Sequence, residues 1–285
     1  MNIINKCAIC IPIHPKHYSY GHYIINELED TNVDLYFIFT NFQDKELFAN
    51  TLSEKNYYKL NYLLLSNFTT AYNLITYKNS FVVLKKLYAL LRLYTKYDYI
   101  SCIDSEILFI KKNNFYEIMK NIVDTKIICG GKLHDNMSEI KIMKETLTTI
   151  TPENDHSKLQ ELSNDFKIYT WWSNFPVYDC KKAEHFLKWI NFDNTFFCLK
   201  LNWYVFDDML YNYFCILFYD YKLLIIPNIH HSLEFSNSEI VEYVDTNICK
   251  IYWVNFNAYR QNREYYKKNN FIIVYHLDRI HFPIY

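Results

Sequence analysis

The chain has 285 residues, with 30 basic and 31 acidic side chains, a net charge of -1, 51% apolar and 21% charged residues. That composition excludes a disordered chain, and the even charge balance, without long single-sign runs, excludes a binder that tracks a phosphate backbone. Three glycines and no sustained heptads exclude collagen and coiled coil, and at this length roughly three quarters of the unfolded surface is buried on folding. The 28 tyrosines and 21 phenylalanines accompany abundant Asn, Lys and Ile, the signature of an A/T-rich coding sequence.

Residues 6–13 read as an apolar strand, followed by a His/Pro/Tyr loop and a helix near 20–29. Residues 33–39 read as a second strand, 44–52 as a helix and 60–66 as a third strand. From Phe81 to Tyr97 the apolar positions Val83, Leu87, Leu90, Leu91 and Tyr94 recur at helical spacing. A short strand at 98–103 is interrupted by acids and continues at 107–110. A helix at 114–123 and a strand at 126–129 follow. Beyond them, 134–168 is polar, a loop or helical excursion. Segments 169–178 and 223–227 read as strands, and 181–190 and 205–217 as helices. Short apolar strands alternating with helices predict an α/β fold with a mostly parallel sheet flanked by helices. With no internal repeat or Pro/Gly/Ser linker, the expectation is a single domain over 1–285.

Of the eight cysteines, Cys7 and Cys10 alone form a CxxC. An offset of three along a strand puts their sulfurs on opposite faces, so a shared zinc is not expected. The others lie in apolar segments, where Cys behaves as a small hydrophobe. A reduced, cytoplasmic protein is expected. No leader peptide is expected either, because the first apolar run is short and broken by Pro12 and His14. The longest apolar stretch, from Tyr211 to Ile226, is interrupted by Asp220 and Lys222, so no transmembrane segment is expected.

The informative interruption is Asp104-Ser105-Glu106. Carboxylates at i and i+2 on extended backbone share a side. At a strand end they suit a hard divalent ion, Mn2+ or Mg2+, whose shell is completed by substrate phosphates. Chance supplies about three acid-x-acid triplets in such a chain, and Glu27/Glu29, Asp44/Glu46 and Glu153/Asp155 also fit. Asp104/Glu106 differs in lying between two apolar runs, where solvated charge is least expected. A surface turn between strands is the alternative.

The run from Lys85-Lys86-Leu87 through Tyr97-Asp98-Tyr99-Ile100-Ser101-Cys102-Ile103-Asp104-Ser105-Glu106-Ile107-Leu108-Phe109 resembles the core of GT-A glycosyltransferases. There a helix leads into a strand ending in Asp-x-Asp, here with Glu106 at the third position. Ile9-Cys10-Ile11-Pro12-Ile13-His14-Pro15 is similar to the nucleotide-binding opening of that fold. The likeness covers about the first 130 residues as an order of elements, and only Asp98–Phe109 as a motif. It implies a metal-dependent hexosyltransferase moving a sugar from a nucleotide-sugar donor, with UDP favoured, to a hydroxyl of a glycan or glycolipid such as lipopolysaccharide or capsule.

The resemblance further implies a donor-binding half over about 1–130 and an acceptor-binding half over about 131–285. Donor contacts would come from Ile11, Pro12, His14, Lys86, Arg92, Asp104, Ser105 and Arg279. Metal ligands would be Asp104, Glu106 and His276, with His230 and His231 as competitors for the last place. Asp207 and Asp208 open an apolar helix, where such enzymes set a general base; Asp208 is favoured, and only for an inverting reaction. The same two acids equally complement a helix dipole. Trp171-Trp172 and Trp203-Tyr204 are candidate sugar-stacking walls or core residues. Two rival readings remain: a sugar-phosphate nucleotidyltransferase, which usually has a Gly-rich basic loop where His14-Pro15-Lys16-His17 stands, and a non-catalytic carbohydrate-binding module.

Overall fold

A computed structural model describes residues 6–58, 60–70, 73, 75, 78–110, 114–135, 138–170, 176–192, 197–226, 253–268 and 273–275. Its main sheet has five strands in the order β3-β2-β1-β4-β8. They are β1 (Cys7–Pro12), β2 (Asp34–Phe39), β3 (Asn61–Leu64), β4 (Tyr99–Cys102) and β8 (Val177–Asp179). The first four run parallel, and β8 lies antiparallel on β4. β1 reads Cys-Ala-Ile-Cys-Ile-Pro and is buried along its whole length. A strand covered on both faces needs such an unbroken apolar run rather than alternation.

Helices cover the sheet. α1 (Tyr18–Leu28) follows β1, and α2 (Phe42–Ala49) follows β2, capped by the Asn41 side chain accepting from the Asp44 amide. α4 (Lys78–Leu93) follows β3 after α3 (Glu54–Tyr58). Val83, Leu84, Leu87, Leu90 and Leu93 of α4 are all buried, because the helix lies between the sheet and two later helices, α8 (Cys180–Trp189) and α10 (Asp207–Tyr219). A helix enclosed on several sides must give any polar side chain a partner inside the protein. That requirement bears directly on Lys85 and Lys86.

Two smaller sheets complete the described residues. β5 (Ile107–Phe109) does not continue β4 in the main sheet, as the sequence suggested. It pairs antiparallel with β11 (Ile273–Tyr275), which pairs parallel with β10 (Trp253–Asn255). The acidic interruption is therefore where the chain crosses from one sheet to the next. The expected strand 169–178 is likewise divided: β7 (Ile168–Tyr169) joins β6 (Ile127–Lys132) and β9 (Lys222–Ile226), whereas β8 joins the main sheet. The polar stretch 134–168 resolves into helices, α6 (Ser138–Thr148) and α7 (His156–Leu162). α5 (Phe115–Thr125) and α9 (Phe197–Lys200) are the remaining helices used below.

The seven described cysteines are buried free thiols; Cys249 lies outside the described residues. Among the described residues no helix is long and apolar enough to cross a membrane.

Candidate functional site

From β1 the chain winds outward through β2 to β3, then returns to β4 on the other side of β1. The carboxyl ends of β1 and β4 therefore flank the point where the strand order reverses, the usual ligand position in an open parallel sheet. Cys10 and Cys102 are register partners at that end, and the Ile103 amide donates to the Cys10 carbonyl at 3.1 Å.

The β1 loop turns at once. His14 caps a short 3-10 turn over Pro15–His17 by accepting from the Lys16 amide, with Pro15 supplying a preset φ. His14 itself is exposed, whereas His17 is buried. The loop is tied down from α4, where the buried Lys85 Nζ donates to the Ile13 carbonyl at 2.9 Å. Burial lowers the Lys85 ammonium to about 8, with Asp44 opposing the shift.

The β4 loop carries Asp104-Ser105-Glu106. Ser105 is buried, while Asp104 and Glu106 are both partly open, so the alternation expected for extended backbone survives the bend. The two acids are held differently. Glu106 Oε2 lies 3.3 Å from Ser105 Oγ and 3.4 Å from His17 Nδ1, and His17 Nδ1 lies 2.6 Å from Ser105 Oγ. Because serine and acid meet the same imidazole nitrogen, this is no relay in which the acid orients one nitrogen and the other activates the hydroxyl. It fixes Glu106.

Asp104 Oδ1 instead meets Lys86 Nζ at 2.9 Å, and Lys86 Nζ lies 3.9 Å from Asp207 Oδ1. Burial disfavours the Lys86 cation, but Asp104, Asp207 and Asp208 together outweigh it and hold the ammonium well above its ordinary pKa. Asp207, only 2% exposed, also accepts from the Tyr178 hydroxyl of β8. Burial pushes the Asp207 carboxyl up, against the pull of Lys86 and Tyr178. The Tyr178 phenol is driven well up by burial and then by the Asp207 charge, so it remains a donor. Asp208 lines a small cavity of about 40 Å3 with Pro176, Val177, Tyr211 and Asn212. Burial first and the Asp207 charge second push its carboxyl up to about 7.

One cluster thus joins His17, Lys86, Asp104, Ser105, Glu106, Asp207 and Asp208, drawn from the β1 loop, α4, the β4 loop and the start of α10. Other sequence candidates lie elsewhere. Ile11 and Pro12 are buried within β1. Arg92 is exposed in the last turn of α4, six residues or about 9 Å along the helix from Lys86. Arg279, His276, His230, His231, Trp171 and Trp172 lie outside the described residues. His17 and Tyr178 were not singled out by the sequence. The pair of histidines flanking Pro15-Lys16 was a signal for the first; among 28 tyrosines nothing marked the second.

Among the described residues no group of three or more His, Cys, Asp or Glu side chains is placed to hold a metal. The donor set of Asp104 and Glu106, two partly open carboxylates on one turn, suits a hard cation that draws the rest of its shell from water and phosphate oxygens.

The chain matches no protein-family model and no curated protein. Among solved structures it is similar to the mannosyltransferase Ktr4p of S. cerevisiae, at 12% identity and a TM-score of 0.38, over 70% of this chain and 63% of that one. It is also similar to mouse xyloside xylosyltransferase 1 in its apo form, at 6% identity and a TM-score of 0.41, over 98% of this chain and all of the other. The chain thus spans just under two thirds of the mannosyltransferase's length.

Proposed function

We propose that the protein is a GT-A-like glycosyltransferase whose nucleotide-sugar donor lies in the crevice between β1 and β4. The observation that carries this reading is the charged cluster Asp104–Lys86–Asp207 at the switch point of a parallel sheet. A buried cation shared among carboxylates is costly to maintain for stability alone, and it sits where such folds bind nucleotides.

Asp104 and Glu106 would hold a divalent ion, Mn2+ or Mg2+, which when bound supplies a counter-charge for the departing diphosphate. His17 and Ser105 keep Glu106 turned to the crevice. His276 is the candidate third ligand. It directly follows Tyr275, whose backbone is paired with Ile107, the neighbour of Glu106. Lys86 places a fixed positive charge beside the developing phosphate charge, and Tyr178 holds Asp207 against that lysine. Asp208, poised near neutrality, suits a base that takes the acceptor hydroxyl's proton in an inverting reaction. The sugar would be a hexose from a UDP donor, and the acceptor a glycan or glycolipid.

Thermal unfolding with Mn2+ and UDP-, GDP-, CMP- and dTDP-sugars tests the reading. A donor at a hundred times its Kd stabilises by about 2.7 kcal/mol. A shift with one nucleotide class that disappears in Asp104→Asn is the expected result. Absence of any shift at saturating donor contradicts the proposal.

A further inference from the structure

The loop immediately before Asp207 presents its aromatic ring outward. Trp203 is 52% exposed, yet the backbone around it is firmly held. Thr146 Oγ1 of α6 donates to the Tyr204 carbonyl at 2.7 Å and accepts from the Phe206 amide at 3.3 Å. Asn202 Oδ1 accepts from the Tyr204 amide, while its Nδ2 donates to Glu145 Oε2. Lys141 Nζ sits 4.4 Å from the centre of the Tyr204 ring. An indole displayed on a fixed backbone binds with little loss of conformational entropy. Trp203 lies four positions before Asp207, a span of at most about 14 Å.

The neighbouring flank of α6 is also concave. Consecutive helix positions differ by about 100°, so Ile140, Lys144 and Thr148 form a stripe beside Lys141 and Glu145. They line a groove of about 600 Å3 with Asp135, His156 and Gln160 among others. Its lining carries polar groups of both charges, some of them joined to one another, as Lys167 is to Asp135 and Gln160 to Asp165. A polyhydroxylated ligand can share such groups as donors and acceptors at once, whereas an acyl chain or an apolar peptide face would only strip water from them.

We infer that Trp203 and the α6 surface beside it form the acceptor subsite, with a pyranose ring of a glycan stacked on the indole. The inference deepens the glycosyltransferase reading and rests on it for the word acceptor, but glycan binding itself needs no donor. Its test is a microarray of mono- to tetrasaccharides probed with wild type, Trp203→Ala and Trp203→Phe in the absence of nucleotide, with donor-induced thermal shifts measured in parallel. Binding by wild type, weakened at least tenfold in Trp203→Ala and largely kept in Trp203→Phe, with the donor shift unchanged in both, is the expected result. The same glycan pattern without any donor shift would leave the subsite standing and remove the transferase. Equal glycan binding by wild type and Trp203→Ala overturns the inference. So does binding of wild type to no glycan, with or without Trp203-dependent sedimentation on anionic phospholipid vesicles; the exposed Leu199 makes that membrane arm a fair rival.

Discussion

At the scale of single residues, Lys86 decides whether the buried Asp207 can sit beside the partly open Asp104 and Asp208. Removing its charge leaves Asp207 without its cation; breaking a fully buried pair costs about 3–5 kcal/mol, and solvent at Asp104 brings the cost here to about 2–3 kcal/mol. Lys86→Met is therefore expected to unfold at lower denaturant than wild type by that amount, and Lys86→Met/Asp207→Asn to recover part of the loss. Strictly additive effects in the double-variant cycle would show that the two groups do not interact. Asp208 gives a prediction of opposite character. Its carboxyl is raised from 3.8 to about 7, by burial first and then by Asp207, so the native protein holds a proton that the unfolded chain has released. Native binding exceeds unfolded binding between about pH 4 and 7. Stability therefore falls as pH rises through that window and levels off above it, by at most about 1.4 kcal/mol per pH unit for one proton. Asp208→Asn is expected to flatten this part of the stability profile; an unchanged slope would show an ordinary carboxyl.

At the scale of elements, the site depends on how α1 is set against the β1 loop. A Cβ added at Gly21 would stand 2.6 Å from Ile13 Cδ1 and 2.9 Å from Phe48 Cε2. Phe48 is fully enclosed, so the ring cannot withdraw, and overpacking of this kind costs about 1–3 kcal/mol. Gly21→Ala is expected to lower Tm accordingly and to weaken donor binding through displacement of His17, four residues earlier; unchanged stability would show that the helix simply shifts. Most elements were legible from apolar runs, since β1, most of β4 and the second half of β2 are buried and α4 keeps helical spacing. What the sequence hid was sheet membership. Nothing local in Ile107-Leu108-Phe109 says that it leaves the β4 sheet for a pairing with Ile273–Tyr275, because that partner lies more than 160 residues away. The same holds for Tyr178, whose role depends on β8 lying beside β4 and on α10 starting above it. Asp104 was visible as a charge between apolar runs and Asp207 as the opening of an apolar helix, but their meeting at Lys86 was not, since it arises only when the β4 loop and α10 both pack on α4.

At the scale of the molecule, the described residues form a mostly parallel five-stranded sheet, with two small sheets and a helical layer beside it. Its cysteines are distributed through that interior as packing residues: Cys10 and Cys102 face each other as register partners, and burial pushes the Cys7 and Cys215 thiols up to about 12. Protonated, enclosed thiols react slowly. A thiol-reactive dye is expected to label none of the seven described cysteines rapidly in the native protein, and all eight in denaturant without reductant. Rapid native labelling of several thiols would show an interior looser than the one described.

A crystal structure of the protein with Mn2+ and the nucleotide that stabilises it, with the anomalous signal of manganese locating the ion, tests the donor site most directly. The metal is expected against Asp104 and Glu106, and the diphosphate at the carboxyl ends of β1 and β4 within reach of Lys86. Nucleotide bound elsewhere, or a crevice left to solvent while binding persists in solution, would contradict that placement.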